Sequence, residues 1–354
     1  MIFGFLLAFV PVSLILKHVI GASPLWVFGG AAIAIAGLAE WVRRSTEQLA
    51  ERAGPEIGGL LNVTFGNVAE LTLALFVLAS GKPDIVRAQI TGSIIGTSLL
   101  GLGLAILVGG LTRERQTFRR ENAGRFSSLL VLTTLALLLP ALFSYSREAS
   151  GHHADAALTN EELSLGTSVV LILLYAGNLL YTLVTHRDVF AGEESRTEPS
   201  WSLWVSLAVL IGGTAVIAIE AELVSESLTA TAEHLHLSPL FLSVIVLALI
   251  GTAADLFAAV YFAHQDRMGL VMSICIGSAI QIALVMAPLL VLISWLLGKP
   301  MDLVFTNPLD LFAIAGTAWI VNAIAGDGET TWFEGVLLIG VYALLGLGYF
   351  FFAG

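Results

Sequence analysis

Gly66-Asn-Val-Ala-Glu70-Leu71 and Gly251-Thr-Ala-Ala-Asp255-Leu256 carry one pattern, glycine, a polar residue, two small or apolar residues, an acid and leucine, 185 residues apart. Gly92-Ser93-Ile94-Ile95 and Gly277-Ser278-Ala279-Ile280 recur at the same 185-residue separation. Two matches at one ungapped offset are hard to assign to chance, even in an apolar chain. They read as an internal duplication, and the surroundings of the motifs say what was duplicated.

Those surroundings are almost entirely apolar. Of 354 residues, 57% are hydrophobic and only 12% charged, too little charge for the surface of a soluble domain of this size, so the bilayer is the expected solvent. A span needs about 20 apolar residues to cross a core of roughly 30 Å. Apolar runs between charged or Pro/Gly-rich breaks give candidate helices near 2–20, 24–44, 57–80, 84–110, 125–146, 163–186, 201–223, 238–263, 268–297, 303–325 and 332–353. Residues 1–16 lack a basic leader region and a clear small-residue cleavage site, so they are read as a first span. The motifs fall in the third and fourth spans and again in the eighth and ninth. The repeat is therefore five spans, an odd number, and its two copies lie inverted in the membrane.

The predicted fold is an all-α polytopic membrane protein of about 11 transmembrane helices, two inverted five-helix repeats plus an extra N-terminal helix. Its parts are an N-terminal transmembrane helix at 1–22, a first repeat at 23–186, an acidic cytoplasmic linker at 187–200 and a second repeat at 201–354. Inverted repeats are a transporter architecture, with the substrate site near the midplane. With the N-terminus inside, the inner loops hold 11 of the 16 Lys and Arg residues and the outer loops 5, which predicts a cytoplasmic N-terminus and an external C-terminus. The net charge of −11 argues against a nucleic-acid partner, and the expected surroundings are lipid. Cys275 is the only cysteine, so neither an intramolecular disulfide nor a thiolate metal cluster is expected.

A carboxylate at mid-bilayer costs about 2.5–3.5 kcal/mol on insertion scales and needs a compensating role. An acid kept protonated, or paired with a buried cation for packing, is the bland alternative. No Lys or Arg lies within either motif span, and the acid recurs at the equivalent place. Both facts favour an ion site on Glu70 and Asp255. Asn67 and Thr252 precede these acids by three residues and share their helical faces. Gly66 and Gly251 permit close backbone approach or local unwinding that frees carbonyl oxygens. Ser93, Thr97, Ser98, Ser278 and Gln281 add candidate oxygens, although small polar residues also simply pack helices. Calcium takes about 6–8 oxygen ligands, a shell that two carboxylates, neutral side chains, carbonyls and waters can fill. Two carboxylates balance one divalent cation or two protons. The ions are then exchanged substrates, with no cofactor expected, and sodium coupling remains open.

Other polar features are weaker. Glu40, Glu47 and Glu51, and likewise Glu222, Glu226 and Glu233, fall near one helical face each and are read as cation-attracting vestibules. His152, His153, His234 and His236 are expected to be solvated. No His-Glu-x-x-His or phosphate-binding glycine loop is present, so neither a zinc protease nor an ATP-driven pump is supported.

Gly54-Pro-Glu-Ile-Gly-Gly-Leu-Leu-Asn-Val-Thr-Phe-Gly-Asn-Val-Ala-Glu-Leu71 resembles the first signature of the cation/proton exchanger (CAX) family of the calcium/cation antiporter superfamily. Glu222-Leu-Val-Ser-Glu-Ser-Leu228, Gly277-Ser-Ala-Ile-Gln-Ile-Ala-Leu284 and Asp327-Gly-Glu-Thr-Thr-Trp-Phe-Glu-Gly335 resemble its second half. The resemblance implies an eleven-helix antiporter in the cell (inner) membrane that expels cytosolic Ca2+ against entering protons. It assigns ion binding to Glu70 and Asp255, and gating to the regions around 24–52 and 201–236. Thr252, Asp255 and Leu256 stand where that family usually has Asn, Glu and His, and Thr97 where an Asn is common. A Mn2+/H+ or Na+-coupled divalent exchanger is the alternative.

Overall fold

The computed structural model describes residues 2–150, 156–181 and 200–352. The expected linker at 187–200, apart from Ser200, and His152 and His153 lie outside the described residues. Among the described residues ten helices are long and apolar enough to cross a membrane, and a further apolar helix of 12 residues, Val68–Ala79, stands between the second and third of them. The protein is an integral membrane protein, and the described residues form eleven apolar helices. In chain order these are α1 (Phe3–Ile20), α2 (Pro24–Phe65), α3 (Val68–Ala79), α4 (Pro83–Gly110), α5 (Arg120–Ala149), α6 (Ala156–Leu180), α7 (Leu203–His234), α8 (Pro239–His264), α9 (Met268–Leu296), α10 (Pro308–Ala325) and α11 (Trp332–Phe352). Two short strands, β1 (Gln116–Thr117) and β2 (Glu329–Thr330), pair antiparallel.

Several boundaries differ from the sequence reading: the third span, expected from 57, starts at Val68 because the second helix runs on to Phe65, and the sixth, expected from 163, starts at Ala156. Two helix ends move for one physical reason. A loop was expected after residue 44, but α2 continues to Phe65. The end of the seventh span was expected at 223, but α7 continues to His234. Charged residues were taken as loop, whereas Glu, Gln, Arg and Ala are strong helix formers and pair at helical spacing. Arg44 lies 2.6 Å from Glu40, and Arg43 bridges Glu40 and Glu47. The caps, by contrast, follow the sequence closely. Ser202, Ser238 and Asn307 accept backbone N–H bonds from Val205, Phe241 and Leu309 at the starts of α7, α8 and α10, the last two followed by Pro at the first helical position.

Contacts divide the chain into two units, Met1–Ile85 with Ala176–Ala254, and Val86–Tyr175 with Asp255–Ala353. In the first, α2 and α7 pack along each other. Ser45 donates its hydroxyl to the Ser206 carbonyl, and a Cβ on Gly213 would lie 2.7 Å from Val42 Cγ2, so a side chain there would have to displace Val42. Leu38, Val42, Leu210 and Ile217 bury one cluster with Ala69 of α3 and Ala254 of α8. In the second unit, α4 and α11 meet at Gly103 and Gly335. A Cβ on Gly335 would lie 2.6 Å from the Leu107 nitrogen. Small residues at such crossings let backbones approach and gain van der Waals contact, the main attraction available in lipid.

Polar contacts at the helix ends test the number of spans. In the first unit Lys17 pairs with Glu226, Lys82 donates to Thr229, and Arg52 donates to the Trp201 carbonyl. In the second, Arg113 pairs with Asp266, Arg115 with Glu329, and Arg87 with Asp302. Each contact joins places that eleven alternating spans put on one side of the membrane. Glu329, in a loop with no basic residue of its own, obtains its cation from Arg115, 2.8 Å away.

Candidate cation-binding site

The first motif sits where the helix breaks. α2 ends at Phe65, Gly66 and Asn67 form a turn, and α3 begins at Val68. Asn67 has φ −106° and ψ 23°, outside the helical well, and Leu71 N–H donates to its carbonyl at 2.9 Å. The break places Glu70 in the first turn of α3. Free N–H groups and the positive end of the helix dipole favour a carboxylate there. Glu70 is 1% exposed, and its stem rests on the second motif. A Cβ on Gly251 would lie 3.0 Å from Glu70 Cγ and 3.2 Å from its Cβ. Gly251 thus serves close approach and leaves α8 intact. Thr252, also buried, donates its hydroxyl to the Ala248 carbonyl at 2.9 Å, which leaves its lone pairs as acceptors.

The second unit holds Asp255 and the hydroxyl-bearing spans. Asp255 is half-buried in α8, and Cys275 is buried in α9. Ser278 is one turn beyond Cys275 and shares its face, and half-buried Gln281 follows a turn later. The hydroxyls of Ser93, Ser98 and Ser278 are buried and have no hydrogen-bond partner among the described residues. Buried hydroxyls rarely stay unpaired, so these three oxygens mark places for a ligand or water. Thr97 instead donates to the Ser93 carbonyl at 2.8 Å. Leu256, at the position where histidine is usual, packs on α4, with the bare Cα of Gly101 accommodating it.

Both hydroxyl-bearing spans also share a backbone irregularity. α4 contains a π turn at Gly96–Gly101 and α9 one at Ile282–Met286, near-equivalent places in the repeat. α9 packs against the α4 π turn. π turns displace one carbonyl from the ladder and recur at functional sites. Among the described residues no group of three His, Cys, Asp or Glu side chains gathers into a metal cluster.

The sodium/calcium exchanger protein family matches residues 23–184 and 205–351, nearly all of both repeats. The chain belongs to that family. Within this exchanger family it is similar to the Ca2+/H+ antiporter of Aphanothece halophytica, with 40% identity over 99% of this chain and 96% of the relative. It is also similar to vacuolar cation/proton exchanger 1 of Arabidopsis thaliana, with 34% identity over 96% of this chain and 76% of the relative. The solved structure of the Ca2+/H+ antiporter protein YfkE matches with a TM-score of 0.84 at 33% identity, covering 99% of each chain. The cation/proton exchanger resemblance seen in the motifs therefore holds over the whole chain.

For this exchanger-family member, sequence reasoning missed two buried acids. Glu220 of α7 is fully buried beside Ser13 of α1 at 2.8 Å. Its signal was visible, but ending α7 at 223 put it at a helix end rather than inside a span. Asp310 of α10 is 7% exposed and accepts a 2.6 Å bond from Tyr349. It lay inside the expected span at 303–325 but outside the repeated motifs, so nothing in the repeat pointed to it. Of the acids read as vestibules, Glu40 and Glu47 are engaged by Arg43 and Arg44, and Glu226 pairs with Lys17, while Glu51 accepts from the neutral amide of Gln48 and Glu222 and Glu233 are exposed. His234 and His236 are exposed, as expected.

Proposed function

We propose that this protein is a Ca2+/H+ antiporter that exports cytosolic calcium against entering protons by alternating access, with Glu70 and Asp255 as the acids that hold the ion. The observation that carries the reading is Glu70 itself, buried at the start of a broken helix and seated on the glycine of the second motif. A carboxylate so placed must be balanced by a cation or a proton, and relatives of matching length are named Ca2+/H+ antiporters. Two acids take one Ca2+ or two protons, so the loads exclude each other and their fluxes couple.

In this reading Asn67, Thr252, the Gly66 break, Ser93, Thr97, Ser278 and Gln281 supply neutral oxygens, Gly251 makes room for Glu70, and no cofactor takes part. The repeats are the units 23–186 and 201–354, joined by the acidic linker 187–200 and preceded by the helix at 1–22. The excess of basic residues in one set of loops supports a cytoplasmic N-terminus, an external C-terminus and insertion in the cell membrane.

Cation-triggered proton flux in proteoliposomes, measured with Ca2+, Mn2+ and Mg2+ with and without Na+, tests the proposal. Proton release driven by Ca2+ without sodium is expected. Transport that needs sodium would sink it, and flux with Mn2+ alone would move the substrate.

A further inference from the structure

Glu220 is a carboxyl that the exchange site does not use. It lies on α7 with no exposed surface, and its Oε2 has no hydrogen-bond partner among the described residues. Its Oε1 is 2.8 Å from Ser13 Oγ of α1, and that hydroxyl is also 2.8 Å from the Val10 carbonyl. A serine has one proton to donate and lone pairs with which to accept. The Val10 carbonyl and an ionised carboxylate can both only accept, and the hydroxyl lies within reach of each. With the serine proton on Val10, the contact between Ser13 and Glu220 takes its proton from the carboxyl. A neutral Glu220 completes both bonds, whereas an ionised one leaves one hydroxyl proton for two acceptors.

Among the described residues the cations near α7 are already engaged. On α1 Lys17 is held by Glu226 at 2.8 Å, with His18 exposed beside it, and Lys82, after α3, donates to the Ser225 carbonyl and to Thr229 further along α7. α2, whose Gly30 packs on Ser13, has no titratable residue between Pro24 and Ala39. α3 carries only Glu70, and the nearest groups on α7 itself, Glu222 and Glu226, are acids. A charge at Glu220 would sit in apolar surroundings among like charges, which is costly.

We propose that Glu220 is a proton-binding site separate from the exchange acids, occupied in this conformation, whose proton latches α7 to α1. Loss of the proton breaks the shared bond to Ser13 and drives the carboxylate toward water, so α7 leaves α1 as pH rises. The transport part of this inference rests on the exchanger reading; the spectroscopic part does not.

Infrared spectra of the purified full-length protein test the site directly. A band from a protonated carboxyl is expected that is lost in Glu220→Gln, kept in Glu70→Gln, and moved to higher frequency in Ser13→Ala, which removes the hydrogen bond. Gln matches the neutral carboxyl in shape, and Ser13→Ala gives an independent variant should Glu220→Gln purify poorly. In proteoliposomes, Glu220→Gln is expected to keep Ca2+-driven proton flux with a flattened pH profile. Ser13→Ala is expected to lower the pH of half-maximal flux by about one unit, a typical scale for environmental shifts. A carboxyl band unchanged in Glu220→Gln, or wild-type pH profiles in both variants, overturns the proposal. Absence of Ca2+-driven flux in the wild type would instead reject the exchanger reading and leave the infrared result standing.

Discussion

In the first repeat the chain leaves α2 at Phe65, turns through Gly66 and Asn67, and restarts as α3 just ahead of Glu70. In the second, α8 runs as one helical rod from Pro239 through Gly251 and Asp255 to His264, with one π turn at Leu242–Leu247. The break there comes earlier, at Leu235–Ser238. It is made by His236 at φ 55° and by Ser238 capping Phe241 ahead of Pro239. Gly54-Pro55 occupies nearly the equivalent place in the first repeat, yet the helix runs through it. Homologous motifs thus take different backbones. The asymmetry matches the residues, since Asn67 readily leaves the helical well, whereas Thr252 bonds back to Ala248 and stays helical. One motif offers a carboxylate at a helix start, just after a break in the backbone. The other offers an acid on an intact helix, with a glycine as the seat for its partner's acid.

This contrast can be tested from its strongest consequence downward. Glu70→Gln and Asp255→Asn should each lower Ca2+-driven proton flux by more than about 100-fold, beyond the 10–100-fold typical of changes behind a metal ligand, while size-exclusion profiles stay those of a folded protein. Wild-type flux in both would reject the site.

Gly251→Ala comes next. Its added methyl meets Glu70 at 3.0 Å, and overpacking of this kind costs about 1–3 kcal/mol, so lower thermal stability and roughly tenfold slower exchange are expected. Gly101→Ala, whose nearest atom on another span, in Leu256, is 3.4 Å away, is the control and should leave both nearly unchanged. Equal losses in the two variants would show that Gly251 has no special seat.

Asn67→Ala should slow exchange more than Thr252→Ala, because alanine favours running the helix through the break, while Thr252 sits in a helix that alanine continues. The reverse order would place the functional unwinding in the second repeat. The smallest effect is expected from Asp255→Glu, which lengthens the acid by one methylene and should alter the Ca2+ to Mn2+ rate ratio more than the overall rate. An unchanged cation profile would remove residue 255 as a determinant of selectivity.

Composition alone makes this chain a membrane protein, because backbone in lipid must satisfy its own hydrogen bonds and spans must be apolar. The 185-residue repeat marks both motif acids. Sequence marked Gly66 and Gly251 alike as places for unwinding; that only the first breaks, while Gly251 stays in a continuous helix against Glu70, is decided by the packed structure. Sequence did not single out Gly251 as the seat of Glu70 or Ser13 as the partner of Glu220. Those contacts join residues 181 and 207 positions apart, and only the packed helices bring them within a few ångströms.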